Sequence, residues 1–201
     1  MRLKSKIMVK LLSSIVFIIA SLTTLKGQNF HNLDFMQKCD TSRTGLCYWD
    51  LSWGKEKSVS PAILDNKNAV AISGQKENSV VFVEQEAYIN DMSEVQILSI
   101  SSLIKCSEVI GKGAGLNIGL YDRNGALIAS KDMGGFYSID WFKGTNDWKK
   151  HTISIVCPKE TKKIKIGMIL FGKGTVWFSD FAVKTTLIID RKPNKLSQKY
   201  I

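Results

Sequence analysis

Apolar and polar residues alternate with a period of two through much of this chain, and helical periodicity is nearly absent. Within residues 162–183, Ile164, Ile166, Met168 and Leu170 alternate with Lys163, Lys165, Gly167 and Ile169, giving one wholly apolar face and one mixed face. Gly172-Lys173-Gly174 reads as a turn into a second strand. There Trp177, Phe181 and Val183 share a face with Ser179, and Val176, Phe178 and Ala182 share the other with Asp180.

Before this hairpin, the pattern predicts a first strand over 30–36, an aromatic-rich loop over 39–53, and short strands over 69–73 and 80–85. A long central strand follows over 97–106, and another strand over 150–157 precedes the closing hairpin. Residues 116–121 and 126–130 form a further hairpin, because Asn124-Gly125 supplies positive φ between two alternating runs. Residues 131–149 are irregular and are expected to form a long, ordered loop, since Phe136, Tyr137, Trp141 and Phe142 argue against disorder. Short strands without βαβ alternation predict an all-β fold, a two-sheet antiparallel β-sandwich in one domain over residues 28–185.

Residues 1–27 change the picture of charge and destination. Arg2, Lys4, Lys6 and Lys10 precede an apolar run over 11–22 and a short polar end, the layout of a cleaved secretory signal peptide. Twelve apolar residues at ~1.5 Å each are too short to span a ~30 Å hydrocarbon core. Removing residues 1–27 lowers the net charge from +10 to +5. Much of the remainder lies in the basic tail over 186–201, expected to be flexible or a linker remnant, so the body is close to neutral. No nucleic-acid partner, and no membrane span after cleavage, is expected. The destination is secreted or periplasmic.

Four cysteines in an exported chain suggest disulfides. Cys39 and Cys47 bracket a seven-residue polar loop. Cys106 and Cys157 both fall on apolar strand faces and point inward. Of the three possible pairings, local geometry favours Cys39–Cys47 with Cys106–Cys157; the alternative for the second pair is two buried thiols.

The segments NLDF (32–35), WDLSWG (49–54), SLIKC (102–106) with GKGAGL (111–116), GTNDWKKHTISIVCP (144–158) and GKGTVWFSDF (172–181) resemble, in order, the galactose-binding-domain-like jelly rolls related to carbohydrate-binding modules. The likeness is greatest to modules N-terminal to some secreted bacterial hydrolases, erythromycin-esterase-like and C-terminal-processing-peptidase-like. The resemblance implies a jelly roll of about eight or more strands, noncatalytic binding, and an approach of the strand end at Cys106 to that at Cys157. Some such modules hold a structural calcium using an acid after the first-strand Phe and acids in the final strand. Met36 and Ser179 replace two of these, leaving Asp180 and putting that cation in doubt.

Candidate chemistry is sparse. His31 and His151 lie in no metal-binding spacing, and no nucleophile elbow is present, so neither a metal nor a catalytic site is expected. GKGAG (111–115) lacks the phosphate-loop pattern and a following helix. Glu84 and Glu86 share a strand face, and Asp132, Asp140 and Asp147 flank the long loop; all are read as solvated acids rather than a glycosidase pair. Trp148 and Trp177 are expected in the core. Trp49, Trp53, Tyr137 and Trp141 lie in loops or at strand ends, where aromatic faces can stack on the C–H faces of sugars. The expected function is noncatalytic binding of carbohydrate or another extracellular polymer. The alternative is a module that packs against a hydrolase domain or partner.

Overall fold

The computed structural model describes residues 30–55, 58–89, 95–133 and 141–188. The expected signal peptide, Tyr137, Asp140 and most of the basic tail lie outside these residues. Eight strands run in the order β1 (Asp50–Trp53), β2 (Val59–Leu64), β3 (Lys67–Gly74), β4 (Val80–Tyr88), β5 (Gln96–Tyr121), β6 (Leu127–Asp132), β7 (Phe142–Cys157) and β8 (Lys163–Leu187). All pairings are antiparallel. Among the described residues no helix is long and apolar enough to cross a membrane.

The two longest strands build both layers of the sandwich. The first half of β8 pairs with β4 and with the second half of β5, and β1 and β6 extend this layer on either side. The second half of β8 pairs with β3 and with the first half of β5, extended by β2 and β7. Gly172-Lys173-Gly174 is therefore a corner within one strand, where a hairpin turn was expected. It lies against a matching glycine corner, with Gly111 paired to Gly172 and Gly174 to Gly74. Side chains cannot fit here: a Cβ at Gly174 would sit 2.5 Å from the Glu108 carbonyl oxygen, and φ is +114°. Both long strands can thus bend sharply together and pass from one layer to the other.

The core lies between the layers. Ile164, Ile166, Met168 and Leu170 are fully buried, as the alternation predicts, and face Leu98, Ile100, Ile104 and Cys106 within one cluster. Beyond the corner the expected alternation fails. Two residues of β8, Asp180 and Phe181, oppose the single Ser102 of β5, and Asp180 has φ +49°. This bulge changes the facing of everything after it. Val176 and Phe178 point inward before it, and Phe181 after it, while Trp177 is half-buried outside the core. Trp148 is also half-buried and on the outside, where its Nε1 donates to Asp65 Oδ2 at 2.9 Å.

Two further expectations are corrected. Residues 30–36 form a loop rather than a strand, tied down by Asn32, whose Nδ2 donates to the carbonyls of Gln37 and Cys47. Residues 142–149 belong to β7, where part of a long loop was expected. β8 also continues past residue 185, with Thr186 and Leu187 paired to Ile97 and Gln96.

Cys39 and Cys47 are bonded. Cys106 and Cys157 are both free and buried. The register rules the bond out: along β5, Gln96 pairs with Cys157 while Cys106 pairs with Asn146, so the two thiols lie about ten residues apart along the β5–β7 ladder. At ~3.4 Å per residue the ladder puts them ~30 Å apart, far beyond disulfide reach. Burial pushes the Cys106 thiol up to about 12 and Cys157 to about 11, so both behave as small apolar groups.

Candidate functional site

Trp49 and Trp53 are both candidates from the sequence, and the structure separates them. Trp49 is 1% exposed, packed against Phe35 and Phe181 at ring-centroid distances of 5.5 and 5.2 Å, and donates from Nε1 to the Asn32 carbonyl. It closes one end of the core and offers no face to a ligand. On strict alternation Trp53 would follow Leu51 inward. Instead Leu51 pairs with Val83 and Trp53 with Phe82, so β1 carries one extra residue and the bulge turns Trp53 out. It is 66% exposed.

Trp53 stands at the margin of the outer face of the layer built on β4, β8 and β5. Successive rows across this face follow from register. Trp53, Phe82, Ile169 and Gly115 form one row, and Asp50, Glu84, Gly167, Asn117 and Asp132 the next. Glu86, Lys165 and Gly119 follow, then Tyr88, Lys163 and Tyr121. Glycines on this face leave room for rings to lie against the sheet. A Cβ at Gly167 would be 2.5 Å from Phe82 Cε2, and one at Gly115 would be 3.1 Å from Trp141 Cε3.

Trp141 comes from the far end of the chain's irregular segment, immediately before β7. It is largely buried and meets Phe171 edge-on at 5.6 Å. Together Trp53, Phe82, Phe171 and Trp141 line an open cavity of about 320 Å³, with Asn117, Asp132 and Lys112 supplying polar groups. Thus the structure brings together two of the four expected tryptophan and tyrosine positions, places Trp49 in the core, and does not describe Tyr137. Phe82, Phe171, Ile169 and Asn117 were missed. Their signal was apolar or amide residues on the outward phase of strands otherwise carrying Lys and Glu.

Below the cavity the face is polar. Lys165 forms an ion pair with Glu84 and lies 4.0 Å from Glu86, which is also 3.8 Å from Lys163. Burial opposes the charge on Lys165, but hydrogen bonding to Glu84 wins and raises its pKa. These carboxylates are neutralised by ammonium groups, the opposite of a pair poised for acid–base work. On the other layer, Asp65 accepts from Lys105 at 2.7 Å, and Asp147 also pairs with Lys105 at 3.1 Å. That cluster latches the β2–β3 turn to β5 and β7.

Among the described residues no three His, Cys, Asp or Glu groups are arranged to hold a metal. The positions that the resemblance connects with calcium fit poorly. Ser179 Oγ donates to the Asn68 carbonyl, Asp180 lies 3.7 Å from Lys67 Nζ, and Met36 is exposed.

No protein-family model matches the sequence, and no curated protein matches it. Solved structures do match. The enzymatically active domain of bacteriophage CBA120 tailspike protein 4 is similar at TM-score 0.54 and 14% identity, over 82% of this chain and 22% of that one. The module TmCBM61, solved with β-1,4-galactotriose, is similar at TM-score 0.50 and 16% identity, over 78% of this chain and 97% of the module. The arabinose-bound MgGH51 α-L-arabinofuranosidase is similar at TM-score 0.51 and 17% identity, over 80% of this chain and 27% of the enzyme. This chain therefore spans only a minor part of the two longer proteins and nearly the whole of the module. At these identities the likeness concerns the fold alone, and the fold is a jelly-roll β-sandwich.

Proposed function

We propose that this chain is a noncatalytic binding module for carbohydrate that acts outside the cytoplasm. The observation that carries the reading is the cavity in which Trp53 and Trp141, remote in sequence, meet Phe82 and Phe171 beside Asn117, Asp132 and Lys112. Aromatic faces take the C–H surfaces of a sugar, and the amide, carboxylate and ammonium take its hydroxyls. The likeness to a module solved with a galactotriose supports this reading at the level of fold. The Cys39–Cys47 disulfide and the signal-like residues 1–27 support an oxidising, extracytoplasmic destination.

A glycan array tests the proposal. The protein is expected to bind at least one glycan class, and Trp53→Ala is expected to abolish that binding while leaving the thermal transition unchanged. Absence of binding to every glycan would overturn it. The second reading, a module packed against a hydrolase domain, is favoured by one observation. Two of the similar proteins carry this fold as about a quarter of a longer chain. On that reading the same aromatic face is an interdomain contact, and the array is blank.

A further inference from the structure

Tyr48 is 57% exposed, and its φ of +68° is one that a bulky L residue takes only at a steric cost. Both neighbours impose it. Cys47 is bonded to Cys39 and its carbonyl accepts from Asn32 Nδ2 at 3.0 Å, while the carbonyl of the buried Trp49 accepts from the Thr44 hydroxyl at 2.7 Å. Glycine or asparagine would meet this backbone demand with less strain. What tyrosine adds is its ring, and the ring lies outside the core.

That ring stacks on His31 at a centroid distance of 4.6 Å and an interplanar angle of 31°. His31 is held in turn by Gln85 of β4, which is 4% exposed: the His31 amide donates to Gln85 Oε1 at 2.6 Å, and Gln85 Nε2 donates to the His31 carbonyl at 2.9 Å. An exposed aromatic pair thus stands on a fixed base, as a preorganised binding surface does.

The pair walls a cavity of about 300 Å³ whose other sides include Asp50, Glu84, Glu86 and Lys165. One row of the outer face joins this cavity to the first: Asp50 and Glu84 line the second, and Asn117 and Asp132, in the same row, line the first. Phe82 and Glu86 are four residues apart on β4, a step of ~14 Å along the strand. All three carboxylates have partners: Glu84 has Lys165, Glu86 has Lys163, Lys165 and the Tyr88 hydroxyl, and Asp50 has Arg43 and the Leu51 amide. These contacts hold the oxygens in place. A carboxylate offers about four lone-pair sites, so acceptors remain for the hydroxyls of a neutral sugar.

We infer that the cavity beside Tyr48 and His31 is a second sugar subsite, filled by a further part of the same glycan that stacks at Trp53. This rests on the carbohydrate reading above and deepens it. The ligand is an extended stretch of neutral glycan rather than a terminal sugar. Tyr48 takes a ring face, and Asp50, Glu84 and Glu86 accept from its hydroxyls.

The test uses a glycan array on which each neutral backbone, β-1,4-galactan and β-1,4-xylan among them, is printed as a linear series from disaccharide to hexasaccharide. The parent, Tyr48→Gly and Trp53→Ala are compared. Glycine accepts the φ of +68°, so the first variant removes the ring and keeps the loop, and its thermal transition is expected to match the parent's. For the parent, affinity is expected to rise with length. Tyr48→Gly is expected to weaken hexasaccharide binding roughly fivefold or more, the equivalent of one aromatic contact, and to leave the shortest bound fragment unaffected. Trp53→Ala is expected to abolish binding at every length. A second measurement needs no substitution: the backbone amide NMR signals of Tyr48 and Glu86 are expected to shift when the parent is saturated with the hexasaccharide and to stay in place with the shortest bound fragment. Affinity independent of length, an equal loss at all lengths in Tyr48→Gly, a variant equal to the parent, or unmoved Tyr48 and Glu86 signals with the hexasaccharide would overturn the subsite and leave the carbohydrate reading standing. Absence of binding to every backbone would overturn both.

Discussion

The five-residue run WDLSW contains two tryptophans with opposite surroundings. Trp49 completes a cap in which a disulfide, the Asn32 hydrogen bonds and the Thr44 hydroxyl fix a strandless loop over the end of the core. Trp53, four residues later, begins the exposed aromatic face. Their chemistry is identical, and a single bulge residue on β1 decides which serves packing and which faces solvent. An aromatic side chain gains its role from the phase of the strand beneath it, more than from its own type or its neighbours in sequence.

The cap and the face should respond to different experiments. Trp49→Ala removes a buried indole and is expected to cost about 3–5 kcal/mol, lowering the denaturation midpoint strongly. Trp53→Ala should leave the midpoint within ~0.5 kcal/mol of the parent and remove glycan binding instead. If both variants lose stability alike, the distinction between cap and face fails. Next in size is the paired replacement Cys39→Ser with Cys47→Ser, expected to cost about 2–3 kcal/mol by releasing a short loop in the unfolded state. Binding at the Trp53 face should survive it. The accompanying chemistry is countable by mass: two thiols alkylate in the unfolded, unreduced protein and four after reduction, whereas Cys106 and Cys157 resist alkylation in the folded state.

Gly167→Ala probes the face from below. The new Cβ lies where Phe82 rests on the sheet, so the ring must lift or the strands must shift, at a cost of about 1–3 kcal/mol. Glycan affinity is expected to fall along with stability, and an unchanged affinity would remove Phe82 from the platform. The smallest expected effect is that of Asp65→Asn. Hydrogen bonds from Lys105 and Trp148 hold the Asp65 carboxyl below its ordinary 3.8, so its stabilisation is present above that pH and is lost as pH falls through the lowered value. Lys105 is raised above 10.5 by Asp65 and Asp147, and its share is lost only at higher pH. The variant should therefore lose less stability on acidification than the parent. High salt should narrow the gap, because all three groups are solvent-screened.

Much of the sandwich was legible from alternation. Ile164, Ile166, Met168 and Leu170 and the run Leu98, Ile100, Ile104 and Cys106 identify inner faces correctly because the extra residues at the nearby register shifts lie on the partner strands and leave the phase of these runs intact. Reading fails where one residue is inserted. Period two carried back from Phe181 across the bulge gives the wrong face for Trp177, and the loop assignment gives no facing for Trp53, since neither bulge has a compositional mark. The glycine corner misled for another reason: Gly-Lys-Gly suits a tight turn as well as a bend, and only the partner strand distinguishes them. Two thiols on inward faces said nothing of their separation along the strands, which register alone determines. Of the candidate site, the tryptophans were visible as types, while their meeting with Phe82 and Asn117 depends on pairings between strands far apart in sequence.

The corner shared by β5 and β8 has a consequence for how the molecule comes apart. Because each long strand contributes backbone hydrogen bonds to both layers, neither layer can exchange its central amides with solvent while the other stays closed. Native-state deuterium exchange should therefore find the middles of β5 and β8 opening together, as one unit, at the free energy of global unfolding. Formation is constrained in the same way. Gln96 must find Leu187, and Gly111 must find Gly172, before either layer has its centre. Such remote pairings make folding slow for a chain of this size.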